Sequence, residues 1–340
     1  MKKIFSVFLC IALVLSALAF AGCNKNTDNG DSNNKETLKF GLGVYSVASK
    51  ATNADGETNG QAQAEITAAA VLVDAEGKIV KCVLDTAQNK VSYTSEGKAI
   101  ATDSFKTKYE LGNDYNMGAY GGAAKEWFEQ ADAFCAAVVG KTAAEVKALV
   151  AEGDKGTDEV INAGCTIMIA EFAYAIDAAI ANAVASDATA DSKLDLGIFT
   201  ELKGTDATAE KEGSSELATT IFAAAVDADK IVAASSDCVQ VKFTFNTAGE
   251  STYDLTQAIK TKKEFGTAYN MSAYGQDLNG DGVVKEWNEQ AAIFDAACLG
   301  KTVNEVKALM GADSYGTADL QTAGCTISIS GLVAAAAKIG

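Results

Sequence analysis

The chain has 340 residues, and its 45 acidic residues against 28 basic ones give a formal net charge of −17. It contains no histidine, no proline and no arginine, since every basic residue is a lysine. These features exclude Ser-His-Asp and Cys-His catalytic groups, His-ligated zinc and an imidazole base, and they argue against nucleic acid as a partner.

The first segment has the features of a bacterial lipoprotein signal. Two lysines precede an apolar run over residues 4–20, which is followed by the string A-G-C at 21–23. This end resembles a lipobox, so we expect residues 1–22 to be a lipoprotein signal peptide and Cys23 to carry the lipid. The protein would then be anchored at the outer face of the cytoplasmic membrane. An ordinary signal peptide and a membrane anchor are the alternatives, although the run is short for a span.

Residues 23–37 are predicted to be a disordered tether. From residue 24 to residue 37 the chain carries no apolar side chain, a composition that cannot form a core. A flexible segment of this length spans about 20 Å, so the folded part is expected to lie close to the membrane surface.

The rest of the chain contains the same strings twice. A-G-C-T-I occurs at 163–167 and again at 323–327. Three longer strings recur with it: Y-N-M-x-A-Y-G at 115–121 and 269–275, K-E-W-x-E-Q-A at 125–131 and 285–291, and G-K-T-x-x-E-V-K-A-L at 140–149 and 300–309. This spacing is too long for a solenoid and predicts a tandem duplication of a whole domain.

The duplication defines repeat 1 as residues 38–185 and repeat 2 as residues 193–340. Each is large enough to form its own core, and the polar stretch over 186–193 reads as a hinge. We therefore expect the two repeats to fold independently.

The first half of each repeat is predicted to form strands, because β-branched residues and alternating polarity dominate it. The predicted strands are Gln63–Val73, Lys78–Asp85 and Lys90–Thr94 in repeat 1, and Thr219–Val226, Lys230–Val232 and Val239–Phe245 in repeat 2.

The second half of each repeat is predicted to be helical. One helical face is formed by Trp127, Ala131, Phe134 and Val138, and Gly140 is expected to end this helix. Two capping boxes, T-A-A-E at 142–145 and T-V-N-E at 302–305, begin short helices. Two last helices follow the A-G-C-T strings; their apolar positions are Ile169, Phe172, Ala173, Ile176 and Ile180 in repeat 1, and Ile329, Leu332, Val333 and Ala336 in repeat 2. Strands followed by helices indicate an α+β fold, with an N-terminal antiparallel sheet and C-terminal helices in each repeat.

Six cysteines remain beyond Cys23 and the one in the signal. Only Cys165 and Cys325 occupy equivalent positions in the two repeats, so no disulfide is shared by both. Small buried thiols are the favoured interpretation.

Thr166 and Thr326 are the candidate functional residues. Both are expected at the N-terminus of a last helix, where unpaired N–H groups and the helix dipole suit a phosphate. Gly164 and Gly324, two residues earlier, would let a ligand or a modifying enzyme approach the backbone. The alternative is a plain N-cap threonine after a routine turn glycine.

A combination of motifs carries a family resemblance. A lipobox, a polar tether and tandem domains with K-x-E-x-G-x-x-Y-N-M, E-W-x-E-Q and a late small-Gly-small-Thr string are similar to the FMN-binding lipoproteins of Gram-positive bacteria. In that family a flavin transferase esterifies FMN to the threonine of Ser-Gly-Ala-Thr. The resemblance places covalent FMN on Thr166 and Thr326, beside Gly164, Cys165, Gly324 and Cys325. Here Ala and Cys stand where the family has Ser and Ala.

The resemblance implies an electron carrier rather than an enzyme. Two FMN groups would take electrons from a membrane electron donor and pass them to a diffusible electron acceptor. The alternative is a cofactor-free surface lipoprotein that acts as a binding or adhesion module. A secreted hydrolase is disfavoured by the missing histidine.

Two weaker patterns remain open. Trp127 and Trp287, with Tyr120 and Tyr274, could wall a flavin ring, although core packing is the favoured interpretation. A loop found only in repeat 2 spaces Asp277, Asn279 and Asp281 as in a calcium site. Its later positions are unsuited to calcium, so a surface turn is favoured over a metal site.

Overall fold

A computed structural model describes residues 36–121, 123–280 and 282–340. Within these ranges the fold is mixed α+β and its sheets are antiparallel, as predicted. The predicted signal peptide, Cys23 and the tether up to residue 35 lie outside the described residues. No helix that the structure describes is long and apolar enough to cross a membrane.

The strands form two antiparallel sheets whose long strands follow one another as hairpins. The strands are β1 (Lys39–Thr52), β2 (Gly60–Val73), β3 (Ile79–Tyr93), β4 (Ala99–Ile100), β5 (Val184–Ala185), β6 (Lys193–Thr205), β7 (Gly213–Asp227) and β8 (Lys230–Phe245). The first sheet has the order β4-β3-β2-β1-β5 and the second the order β6-β7-β8.

The helices lie in the two stretches that follow the long strands. They are α1 (Lys108–Leu111), α2 (Met117–Gly121), α3 (Trp127–Ala137), α4 (Ala143–Lys147), α5 (Asp158–Ala163), α6 (Ala170–Ala181), α7 (Lys262–Phe265), α8 (Met271–Tyr274), α9 (Trp287–Cys298), α10 (Val303–Lys307), α11 (Ala318–Thr322) and α12 (Ser330–Ala336). The two predicted capping boxes are present, at the starts of α4 and α10. The predicted apolar face of α3 is buried.

Two predicted breaks between strands are wrong. The structure has one continuous strand, β3, where the sequence predicts a break after Asp85, and β8 is likewise continuous. The polar residues Thr86 and Asn89 interrupt the apolar pattern but keep their places in the ladder with β2. Their side chains find buried partners: the Thr86 hydroxyl lies 2.9 Å from that of Thr67.

Strands β1 and β6 are absent from the sequence prediction because glycines weaken their pattern. The glycines let a helix backbone approach the sheet closely. A Cβ added to Gly41 or Gly43 would lie 2.0 Å from the carbonyl oxygen of Ala179 or 2.2 Å from that of Ala175, both in α6. Gly197 in β6 has the same relation to Ala335 in α12, at 2.2 Å.

The elements stack in four layers: helices, sheet, sheet, helices. Alternate residues of β2 belong to two different clusters. One face packs under α3 and α6, and the other contributes to a cluster that includes side chains of β6, β7 and β8. A third cluster lies between the second sheet and α9 and α12. The rings of Tyr93 and Phe245 stack across the central layer with centroids 4.4 Å apart.

The stretch over 186–193 is a bonded part of the fold, contrary to the predicted hinge. Ala188 and Ser192 are fully buried. The Ala188 carbonyl accepts the N–H of Leu38 at 2.7 Å, and the Ser192 carbonyl accepts the ammonium of Lys81 at 2.6 Å. Leu38 and Lys81 of repeat 1 therefore hold the linker in place.

The central cluster contradicts the expectation that each repeat has a complete core of its own. We predict that fragments 38–185 and 193–340, produced separately, are far less stable than the joined chain, because each exposes an apolar sheet face. Losing the burial of one large side chain costs about 1.5–3 kcal/mol. Urea unfolding followed by circular dichroism, with and without mixing the fragments, measures this. Two fragments that each unfold with the stability of the whole chain would show that the shared face contributes little.

Candidate functional site

The candidate threonines lie in loops before the last helices, not at the helix N-termini as predicted. The N-cap residues are Ile169 for α6 and Ile329 for α12. Met168 forms a β-bridge with Lys155, and the N–H of Ile169 donates to the Asp154 carbonyl at 2.7 Å. These bonds keep the chain extended past the threonine, so the plain N-cap interpretation is also wrong.

A buried glutamine holds Thr166. The Gln130 Oε1 atom accepts the backbone N–H of Thr166 at 2.8 Å and its hydroxyl at 3.0 Å. The Gln130 amide group in turn donates to the carbonyl of Lys125 at 3.0 Å. Gln130 is 1% exposed. One carbonyl oxygen therefore fixes both the loop and the direction of the hydroxyl.

The same arrangement occurs at Thr326. The Gln290 Oε1 atom accepts the Thr326 N–H at 2.6 Å and its hydroxyl at 3.2 Å, and the Gln290 amide donates to the Lys285 carbonyl at 2.7 Å. Sequence reasoning missed these glutamines as partners of the threonines. The available signal was their presence in the repeated K-E-W-x-E-Q-A string.

The other polar residues of that string position the start of α3. The Glu126 carboxylate accepts the N–H of Met117 at 2.9 Å, and the Glu129 carboxylate accepts the N–H of Glu126 at 2.8 Å. Asn116, just before Met117, has a left-handed backbone with φ of 61°. The Y-N-M and E-W-x-E-Q strings are therefore joined by hydrogen bonds, and α9 begins in the same way.

Gly164 and the two candidate cysteines have structural roles. Gly164 ends α5 with φ of 105°, and an added Cβ would lie 2.3 Å from the Lys125 ammonium. The space over the glycine is therefore occupied by a lysine side chain. Cys165 and Cys325 are fully buried, and burial raises the pKa of their thiols to about 11 and about 12. Both thiols are protonated at neutral pH and act as packing groups.

The remaining cysteines agree with the predicted free thiols. Every cysteine that the structure describes is unpaired, and Cys82 is the one that is not fully buried.

Each half of the chain holds a lysine between two aromatic rings. The distances from the ammonium to the ring centroids are 5.5 Å for Lys108 and Tyr115, 5.6 Å for Lys108 and Trp127, 5.1 Å for Lys262 and Tyr269, and 5.3 Å for Lys262 and Trp287. These are cation–π distances. Both tryptophans are buried, and Trp127 packs edge-on against Phe172 at 5.7 Å, as the core interpretation predicts.

A cavity of about 250 Å³ opens beside Thr326. Its lining includes Thr326, Lys262, Tyr269, Tyr274, Trp287 and Tyr315. Ligand sites usually have a volume of about 300–1,000 Å³, so this cavity has room for one end of a larger ligand. A positive charge and several aromatic rings suit an aromatic anion. The side chain of Tyr120, the counterpart of Tyr274, lies outside the described residues.

The two threonines differ in exposure. Thr166 is exposed, whereas Thr326 is 6% exposed. Thr166 is therefore the more accessible of the two residues to a modifying enzyme.

The loop with calcium-like spacing forms a turn. Both carboxylate oxygens of Asp277 accept backbone N–H groups, from Gly280 at 2.8 Å and from Gly282 at 2.9 Å. Asp281 lies outside the described residues, and Asn279 makes an interaction of its own. No group of three or more Cys, Asp or Glu residues in the described part of the chain is placed to hold a metal ion.

Comparison of the chain with known protein families, curated proteins and solved structures finds no match.

A buried carboxylate positions the helix that carries each of the two lysines held between aromatic rings, Lys108 and Lys262. Asp85 accepts the N–H of Tyr109, which follows Lys108, at 3.1 Å, and Asp237 accepts the N–H of Lys263 at 3.2 Å. Burial raises the pKa of Asp85 to about 7, against hydrogen bonds that lower it. Burial likewise raises the pKa of Asp237 to about 6, against the charge of Lys263 and hydrogen bonds.

These raised pKa values predict how stability depends on pH. Because the folded state holds the two protons more tightly than the unfolded state, the free energy of unfolding should fall as pH rises from about 4 to 8. The loss for a three-unit shift such as that of Asp85 is at most roughly 4 kcal/mol. In D85N/D237N the fall should be much smaller, because asparagine stays neutral and can still accept both N–H bonds. Urea unfolding of both proteins at several pH values measures this, and parallel curves would contradict it.

Proposed function

We propose that the chain is a tandem duplication and a membrane-tethered, extracellular flavoprotein electron carrier. FMN is esterified to Thr166 and to Thr326 by a flavin transferase. The flavins supply the redox chemistry, and the protein supplies attachment and surroundings. Electrons pass from a membrane donor to a diffusible acceptor outside the cytoplasmic membrane, where Cys23 carries the lipid anchor.

The observation that carries the proposal is the shared arrangement around the two threonines. Each hydroxyl donates to a buried glutamine within a fixed loop, and each half places a lysine between two aromatic rings near the start of the helix that bears the glutamine. A single threonine with a hydrogen-bonded hydroxyl is common in proteins. Two threonines in matching environments, one of them lining a cavity with a lysine and aromatic rings, support attachment of an aromatic phosphate.

The chemistry of attachment places specific demands on the threonine. The bond between its Oγ1 atom and the FMN phosphorus forms as a phosphate–oxygen bond breaks in the donor, a flavin dinucleotide, and the nucleoside monophosphate leaves. The hydroxyl proton passes to the transferase. The ester oxygen no longer donates to Gln130, but the Thr166 N–H still does, so the loop keeps its main hydrogen bond after modification.

The first test is the intact mass of the chain coexpressed with a flavin transferase. We expect a gain of two FMN groups less two waters. Thr166→Val and Thr326→Val should each remove one group, because valine keeps the shape and lacks the hydroxyl. The lost hydrogen bond should lower stability by about 1 kcal/mol, too little to unfold a domain.

Thr322→Val is the matched control, since Thr322 is exposed, lies four residues before Thr326 and donates its hydroxyl to the Ala318 carbonyl within its own helix. It should keep both flavins. Two flavins retained in the double variant at Thr166 and Thr326 would place the attachment elsewhere. Flavin that is released intact by denaturation would show noncovalent binding.

The difference in exposure predicts an order of modification. Thr166 should be loaded before Thr326 in a time course with transferase and donor, because Thr166 is the more exposed residue. Tryptic peptide mass spectrometry at successive times measures the two sites separately. Equal rates, or a faster Thr326, would mean that exposure in the folded chain does not control transfer.

The rival proposal is a cofactor-free surface lipoprotein that acts as a binding or adhesion module. The small volume beside Thr326 favours it, since a whole FMN does not fit there without movement. A colourless protein of unchanged mass after coexpression with an active transferase would select this rival.

A further inference from the structure

A second cavity lies between β3 and the chain over residues 102–117. It measures about 810 Å³, which is within the usual range for binding a small molecule. Neither Thr166 nor Gln130 lines it, although Lys108, Tyr115 and Met117 in its lining correspond to Lys262, Tyr269 and Met271 of the cavity beside Thr326.

The lining of this cavity combines positive charge with apolar and aromatic surface. Lys90, Lys106 and Lys108 meet there, with Asp114 as the one acidic residue of the lining. The lining is therefore positively charged, whereas the chain as a whole has a net charge of −17. Lys108 is paired with a glutamate at 3.4 Å. Neither of the other two lysines forms an ion pair with any residue that the structure describes.

The apolar part of the lining is supplied by Phe105, Leu111, Tyr115 and Met117. All four side chains are partly exposed, so they keep apolar surface in contact with solvent. Planar ligands stack on such surfaces and bury them. An anion without an aromatic body would leave this surface exposed, and a neutral aromatic compound would leave two lysines without a counter-charge.

We propose that this cavity binds a planar aromatic anion. The identity of the ligand as the diffusible electron acceptor rests on the proposed function, whereas the binding itself does not. Tyr115 is also one of the two rings that hold the Lys108 ammonium. A ligand in the cavity would therefore lie beside this lysine and its rings. Free FMN is also a planar aromatic anion, so the test has to distinguish it from a diffusible acceptor.

The second half of the chain offers a matched control. By the repeated sequence, Lys242 and Lys260 correspond to Lys90 and Lys106. There the Tyr269 hydroxyl donates to Gln240 at 2.8 Å, across the space that corresponds to the cavity. K242E/K260E therefore changes the total charge by the same amount as K90E/K106E without touching the cavity.

The test uses residues 24–340 without flavin, which retain the whole compact unit Lys35–Gly340. Titration calorimetry is carried out with anthraquinone-2-sulfonate and with the neutral 2-hydroxymethyl-anthraquinone. We expect the sulfonate to bind more tightly. K90E/K106E should weaken its binding about tenfold or more, because two attractive charges become repulsive, while K242E/K260E should have little effect. Phe105→Ala should weaken both probes.

Three results would overturn the proposal: no binding of the sulfonate, equal weakening by the two lysine pairs, or equal affinity for the charged and neutral probes. Free FMN is titrated in the same way. FMN bound more tightly than the sulfonate, and displaced by it, would assign the cavity to a flavin phosphate instead of a diffusible acceptor. Because no transferase is present, failure here leaves the mass test of the threonines unaffected.

Discussion

The contact between the two sheets is the constraint on which the rest of the fold depends. Strands β2 and β7 are buried on both faces, so each needs a helix layer on one side and the opposite sheet on the other. Polar hydrogen bonds also cross this contact: the Asn89 amide donates to the hydroxyls of Thr200 and Thr219 at 3.1 and 2.9 Å. The sites are therefore built on the outer helix layers, away from the shared face, where loops can vary without disturbing the core.

The sequence predicted the elements that have a local signal. The apolar face of α3 and the boxes before α4 and α10 depend on residues three or four positions apart, and they are found as predicted. The shared core could not be predicted this way. A strand that is buried on both faces has no polar side to reveal its partner, and pairs such as Tyr93 and Phe245 are brought together only by folding.

The site was predictable in its residues but not in its geometry. Repetition directed attention to Thr166, but its glutamine partner lies 36 residues earlier in the chain. No local rule joins the two strings. The expected start of α6 was wrong for a similar reason. The bridge between Met168 and Lys155, which precedes the first turn of α6, is a contact between two loops. Repeated strings identify which residues matter, whereas their contacts have to be read from the structure.

Repetition of sequence also does not give two equal sites. The strings set the hydrogen bonds of Thr166 and Thr326, and those bonds agree to within a few tenths of an ångström. Exposure is set by what lies around the strings. In the second half, Tyr274, Gly275 and Gln276 line the cavity beside Thr326, and the chain after them contains the turn of Asp277 that the first half lacks. The chain just before that turn thus supplies part of the wall beside Thr326. Local bonding and access are therefore separable properties, since the two halves share the bonding of the threonine and differ in its exposure.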